Sequence, residues 1–325
     1  MAKIRVALIG LGGMGTCHYN AYSEVEDAQI VAVCDVRINE LKDKLKNPDI
    51  ALYDDIDKLL QNEKIDMVDI VTPSFLHAEM AVKCLNKGIN VLCEKPMALD
   101  AKSCDAMIEA AEKSGKKFMV AHVVRFMKPY SFLKKEIENS KNGKLLRLSM
   151  KRTSSIPTWS WKNWMKDDKL SGGVGIDLSI HDVDFVQSVL GLPNSVSAYY
   201  RPKKNDSAFI LSSMLYGETL VTCEGTWYNA QVPFKAEYFA VFENGYISYD
   251  GNKLVKDGVE IDVDKADDGA DLGINISGDK AYRNEIAYFV DCIKTNRTPE
   301  FVLPKSSKTS VEFMIEILKK ATVIS

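Results

Sequence analysis

The sequence predicts an α/β protein of two domains: a doubly wound parallel sheet, then an α/β domain built on a mostly antiparallel sheet. Three observations predict it. Through residue 122, short β-branched apolar runs alternate with longer helical patterns, the rhythm of a parallel sheet with crossover helices. From residue 123, strands follow strands with turn signals between them. The 325 residues exceed one average core, and at about 150 residues per domain they point to two, 1–122 and 123–325.

In the first domain the strands are expected at Ile4 to Ile9, Ile30 to Cys34, Met67 to Val71, Asn90 to Cys93 and Lys117 to Ala121. Helices are expected at Leu76 to Lys87 and Asp100 to Ser114. Each is followed by a glycine, Gly88 or Gly115, where a left-handed residue closes a helix. In the second domain strands are expected at Leu145 to Lys151, Ser195 to Arg201, Ser207 to Tyr216, Thr219 to Trp227, Lys235 to Phe242 and Tyr246 to Tyr249. Tyr216-Gly217-Glu218 and Glu243-Asn244-Gly245 mark hairpins between them. Helices are expected near Asp177 to Leu190, Tyr282 to Thr295 and Lys305 to Ala321.

Composition narrows the function classes. With 42 Lys+Arg against 45 Asp+Glu the net charge is -3, so no global field draws the chain to nucleic acid or an anionic membrane. No apolar run approaches the ~20 residues of a membrane span, and the N-terminus does not read as a secretory signal. The seven cysteines, Cys17, Cys34, Cys84, Cys93, Cys104, Cys223 and Cys292, never form CxxC and read as free thiols of a cytoplasmic protein. With four histidines and no HExxH, no metal is expected. The acidic stretch from Asp262 to Asp271 lacks the ligand spacing of a calcium loop and reads as a solvated loop.

Gly10-Leu11-Gly12-Gly13-Met14-Gly15 fits GxGxxG and lies between a strand and a helical pattern, the context the motif requires. Gly10 permits the tight turn, Gly12 the approach of backbone N–H groups to a pyrophosphate, and Gly15 close helix–strand packing. Asp35, 20 positions beyond Gly15, ends the second strand, where a carboxylate accepts from the adenosine ribose hydroxyls. A dinucleotide is therefore expected. Asp35 repels a 2′-phosphate and favours NAD, while Arg37 leaves NADP open.

In open parallel sheets ligands bind beyond the carboxyl ends of the strands. Two segments there are chemically suggestive: Thr72-Pro73, followed by His77, and Glu94-Lys95-Pro96. Lys95 can present a cation to an alcohol or carbonyl oxygen beside a nicotinamide, with Pro96 fixing the backbone that aims it. His77 reads as a structural or cofactor-edge histidine. Further along, a helix from about Ile176 would line up Asp177, His181, Asp184 and Ser188 as one polar stripe between apolar flanks, turned toward a cleft. There Asp177 would orient the His181 imidazole for proton exchange near neutral pH, or the histidine would merely satisfy a buried hydrogen bond. Trp159, Trp161 and Trp164 fit a sugar-stacking surface and a core equally well.

These residues together resemble the Gfo/Idh/MocA family of oxidoreductases, the glucose-fructose oxidoreductase and inositol dehydrogenase group. The resemblance runs nearly end to end. It is carried by Gly10 to Gly15, Thr72-Pro73 with His77, Glu94-Lys95-Pro96, Arg125-Phe126 with Pro129, Gly172-Gly173 with Asp177 and His181, and Tyr282-Arg283-Asn284-Glu285. It implies a Rossmann domain plus a substrate domain with a large open-faced sheet that often mediates dimers or tetramers. It also implies hydride transfer between a secondary alcohol of a sugar, sugar derivative or inositol-like polyol and the nicotinamide. By that resemblance Lys95 and His181 handle the hydroxyl proton, Asp177 supports them, Arg125 shapes the substrate pocket, and Lys95-Pro96 is a cis peptide. An NAD-dependent redox-elimination glycosidase and a non-catalytic NAD(H)-binding regulator are the alternatives on the same fold.

Overall fold

The structure, a computed structural model, describes residues 2–158, 160–204, 207–262 and 280–324. It divides into two compact units. Described residues 2–123 and 280–308 form the first, and 124–262 with 309–324 the second. The division departs from the expected 123–325 domain at 280–308, a segment that returns to the first unit.

The first unit is a six-stranded parallel sheet in the order β3-β2-β1-β4-β5-β6, the doubly wound order whose reversal point lies between β1 and β4. Its strands are β1 Ile4–Ile9, β2 Ala28–Cys34, β3 Ala51–Tyr53, β4 Met67–Ile70, β5 Asn90–Glu94 and β6 Phe118–Ala121. Val6, Ala7, Leu8 and Ile9 are all buried, as a central parallel strand covered on both faces must be. The helices are α1 Gly13–Tyr22, α2 Ile38–Leu41, α3 Ile56–Asn62, α4 His77–Asn86 and α5 Ala101–Ser114. Side-chain caps start two of them: Asp55 accepts from the Lys58 N–H at 3.0 Å and Asp100 from the Ser103 N–H at 2.8 Å. β3, α2 and α3 were not expected.

In the second unit the chain runs α6 Lys128–Asn139, β7 Leu145–Ser155, α7 Asp168–Ser171, a π-helical turn Val174–Ser179 and α8 Ile180–Leu190. It continues with β8 Ser195–Lys204, β9 Ser207–Tyr216, β10 Thr219–Tyr228, β11 Lys235–Phe242, β12 Gly245–Tyr249, β13 Leu254–Lys256 and β14 Val259–Ile261. After α9 Lys280–Lys294, which belongs to the first unit, α10 Pro304–Lys320 leads into β15 Ala321–Val323. The nine strands order as β14-β13-β12-β11-β7-β10-β9-β8-β15. Two pairs are parallel, β7 with β10 and β8 with β15, and the rest are antiparallel.

Strand alternation makes this sheet two-faced. Along β9, Ala208, Ile210, Ser212 and Met214 are buried while Leu211 and Leu215 are exposed. Leu146, Tyr199 and Phe239 are exposed as well, and Phe239 stacks on Tyr246 with ring centroids 5.5 Å apart. Among the described residues no helix is long and apolar enough to cross a membrane. All seven cysteines are free thiols. Beyond Asp262 itself, the acidic stretch lies outside the described residues, and so does Trp159.

Candidate functional site

In the first unit the sequence-predicted residues gather at the carboxyl edge of the parallel sheet. β1 ends at Ile9, and Gly10 turns with φ +98 while its N–H donates to the Cys34 carbonyl at 2.8 Å. A Cβ on Gly10 would stand 2.5 Å from the Val71 carbonyl oxygen, and one on Gly15 would stand 2.0 Å from the Gly10 carbonyl oxygen. Only glycine fits either place. Gly12 differs: it caps the start of α1 with no side-chain cap hydrogen bond among the described residues, and a Cβ on it would meet nothing within 4 Å. An uncapped helix N-terminus facing open space through a glycine is the arrangement that accepts a pyrophosphate. The chain thus fits the expected dinucleotide.

Asp35 follows β2 and is tied to that loop. Its carboxylate accepts from the Leu11 N–H and from the Arg37 N–H, both at 2.8 Å. The Arg37 Nε lies 3.8 Å from the same carboxylate, so the guanidinium stays beside Asp35. Leu11 is buried, and Gly13 and Met14 sit at the surface of the turn.

Beyond β4 and β5 the backbone is clamped by His77. Its Nδ1 lies 2.8 Å from the Pro96 carbonyl oxygen and its Nε2 2.9 Å from that of Thr72. Burial pushes this imidazole below the ordinary histidine range, against the pull of the two carbonyls. Thr72 in turn abuts Gly10, whose would-be Cβ lies 3.1 Å from the Thr72 nitrogen, and the Pro73 carbonyl accepts from Leu76 at 2.9 Å. One continuous set of contacts therefore runs from the glycine turn through Thr72 and His77 to the loop that carries Lys95. The Lys95-Pro96 peptide is cis.

Sequence reasoning missed His18, in the second turn of α1. Fully buried, it lies between two carboxylates: Nδ1 is 2.9 Å from Asp69 Oδ2 and Nε2 is 3.1 Å from Glu94 Oε1. The Tyr22 hydroxyl donates to the same Asp69 oxygen at 3.1 Å, and the Tyr282 ring lies 5.5 Å from the imidazole. Burial alone would keep His18 neutral, but the charges and hydrogen bonds of Asp69 and Glu94 outweigh it and hold the imidazole well above its ordinary range. Glu94 moves the other way: burial pulls its carboxyl up, and His18 brings it below the usual carboxylate value. The signal for this cluster was in the sequence. Asp69 interrupts the otherwise apolar run Met67-Val68-Asp69-Ile70-Val71, and a charge inside a buried strand requires a partner.

In the second unit, Gly172 and Gly173 turn with φ +79 and +66 into the π-helical turn, which buries Asp177. His181 is half-buried in the first turn of α8. The expected open stripe does not form. The π-turn breaks the 3.6-residue register between Asp177 and the residues after it, since each turn there takes in extra backbone. Asp184 is closed off: Arg125 donates to it from Nε at 2.8 Å and from Nη2 at 2.7 Å, and Ser310 from its hydroxyl at 2.7 Å. Ser188 donates to the Phe185 carbonyl at 2.7 Å. Next to Asp184, the buried Asp182 binds Arg152 Nε at 2.8 Å, and Arg152 Nη2 reaches the Tyr130 hydroxyl at 3.1 Å. Of the tryptophans upstream, Trp161 and Trp164 are half-buried, and Lys162 Nζ lies 4.6 Å over the Trp161 ring.

Comparison with known proteins adds the following. Residues 4–122 match a family model described as "Oxidoreductase family, NAD-binding Rossmann fold", and residues 130–248 match the GFO/IDH/MocA C-terminal domain. A 2,7-anhydro-N-acetylneuraminate hydratase of Mediterraneibacter gnavus is 34% identical over 202 residues, 61% of this chain and 52% of that protein. A myo-inositol 2-dehydrogenase of Thermotoga maritima is 30% identical over 193 residues, 58% of this chain and 55% of that one. The chain thus spans about half the length of these curated relatives. The crystal structure of a myo-inositol 2-dehydrogenase from Lactobacillus plantarum superposes with a TM-score of 0.80 over 98% of this chain and 97% of that chain at 22% identity, a likeness of fold.

Proposed function

The chain belongs to the Gfo/Idh/MocA oxidoreductase family, and from that premise we propose that it transfers a hydride between a secondary alcohol of a sugar, sugar derivative or inositol-like polyol and NAD. The observation that carries this reading is the carboxyl edge of the parallel sheet. The glycine turn after β1, Asp35 after β2, Thr72 after β4 and Lys95 after β5 all lie there, Asp35 joined to the turn at Leu11 and His77 set between the Thr72 and Pro96 carbonyls.

In this reading the N–H groups of Gly12 to Gly15 hold the pyrophosphate, and Asp35 accepts from the ribose hydroxyls. The bound dinucleotide supplies the hydride acceptor. Lys95 stabilises the negative charge that develops on the substrate oxygen, His181 exchanges its proton, and Asp177 supports His181. Thr72, Pro73, His77 and Glu94 fix the backbone around Lys95. Arg125 shapes the substrate pocket, and through Asp184 it anchors α8 and hence His181. The free thiols support a cytoplasmic setting, and the uncovered apolar face of the nine-stranded sheet supports a homodimer or homotetramer.

The test is NADH formation by the purified protein across sugars, sugar acids, inositols and nucleotide sugars with NAD and with NADP. A responding substrate should lose about 100-fold or more in turnover with Lys95→Ala and with His181→Ala. Near wild-type turnover in both variants would overturn the assignment. The relationship to a hydratase supports a second reading, redox-elimination, which would transform substrate with no net NADH.

A further inference from the structure

We propose that His18 is a positioning residue for Lys95, locking the helix that begins at the dinucleotide loop to the turn that presents the lysine. The inference rests on the reading of Lys95 given above. α1 starts at the glycine turn, and from its second turn the His18 imidazole reaches two strands, β4 through Asp69 and β5 through Glu94. Glu94 is the residue before Lys95. With one oxygen, Oε1, it binds His18; with the other, Oε2, it accepts the Lys95 backbone N–H at 2.9 Å. Its carboxylate thus joins the helix to the backbone of the proposed catalytic residue.

Chemistry selects the protonation states. Asp69 and Glu94 present only acceptors when ionised, and one imidazole can serve both only by donating from both nitrogens, as imidazolium. The groups facing His18 agree. Asp69 on β4 and Glu94 on β5 are acidic, Tyr22 on α1 donates to Asp69, and Tyr282 on α9 lays its ring alongside. Glu285 on α9 is buried near Tyr22 and adds a third acid to the neighbourhood. Without the His18 charge, Asp69 and Glu94 would both be buried with no cation between them. Burial would then push the Glu94 carboxyl up toward its neutral form, which has one fewer acceptor for the donors around it.

The test uses the full chain as wild type, His18→Gln and Glu94→Gln, each alone and combined with Lys95→Ala. Hydrogen exchange at the Lys95 amide needs no substrate. His18→Gln should speed it about tenfold while the central amides of β1 keep their protection. Glu94→Gln gives the same local result if His18→Gln does not fold, because an amide offers one acceptor where the carboxylate offered two. NAD affinity should stay within about threefold, and turnover should fall about 100-fold in the wild-type background but less than about twofold once Lys95 is alanine. An unchanged Lys95 amide, or an equal turnover loss in both backgrounds, would overturn the proposal, since a merely structural residue costs the same with or without Lys95. Wild-type turnover in Lys95→Ala alone would instead bring down the functional reading. The amide measurement would then still decide whether His18 holds this loop.

Discussion

The Arg125 guanidinium meets the Asp184 carboxylate edge to edge, Nε to Oδ2 at 2.8 Å and Nη2 to Oδ1 at 2.7 Å, with both side chains buried and the Ser310 hydroxyl closing on the same carboxylate. Two parallel charge-assisted bonds fix the angle of α8 as well as its position. Removing the cation leaves a buried, unpaired carboxylate.

Arg125→Met should therefore lower the unfolding free energy by about 3–5 kcal/mol, read as a shifted urea midpoint. Arg125→Met combined with Asp184→Leu should recover much of that loss, because an apolar pair of similar size leaves no charge stranded. A double variant as unstable as the single one would contradict this account of the pair.

The three glycines of the turn should respond differently to alanine. Gly15→Ala places a methyl 2.0 Å from a backbone oxygen, and Gly10→Ala combines a 2.5 Å approach with φ +98, so both should fold poorly. Gly12→Ala should cost about 1 kcal/mol or less in thermal unfolding, since its methyl points into open space. Titration calorimetry should nonetheless show NAD binding weakened about tenfold or more, because that space is where a pyrophosphate approaches.

Two of the buried histidines of the first unit, His18 and His77, should shape stability against pH in opposite senses. His18 is held well above 6.5, so its contribution is complete below 6.5 and is lost as pH rises through the folded value. His77 is lowered from 6.5, so its contribution is present above 6.5 and is lost as pH falls through its own folded value. By themselves these two place the stability maximum near pH 6.5. In urea midpoints measured across pH, His18→Gln should flatten the alkaline limb and leave the acid limb sloping. A slope unchanged on the alkaline side would show that His18 is not charged in the folded protein.

On the open face of the nine-stranded sheet, Leu211→Asp and Phe239→Asp should leave the single chain folded at a cost of about 1–2 kcal/mol each, because Leu211 faces Glu224 across the sheet and Phe239 stacks on Tyr246. Light scattering coupled to gel filtration should show a smaller particle than wild type if copies of the chain meet through this face. Unchanged mass in both variants would move the contact elsewhere.

Much of both units was legible because its signals are local. The strand-glycine-helix context of Gly10 to Gly15, the acid at Asp35 and the hairpin at Tyr216-Gly217-Glu218 each fit within a few residues, and the structure has β9 and β10 on either side of that turn. What escaped was set at long range. β15 finds β8 across more than a hundred residues, and three-residue β3 is too short to show a period. Asp184 looked like a member of a polar helix face because its arginine, Arg125, lies 59 positions away. The π-turn before α8 defeated a reading that assumed 3.6 residues per turn.

The C-terminal return of the chain bears on how the protein is made. α9 lies against α1, with Ile286, Phe289 and Val290 buried, yet it follows the strands β7 to β14 in the order of synthesis. On a ribosome the strands of the parallel sheet emerge before α9 and wait, one side of α1 uncovered, until β7 to β14 and α9 have been translated. A fragment ending at Val123 would keep that bare side permanently, so no single cut yields two self-sufficient halves.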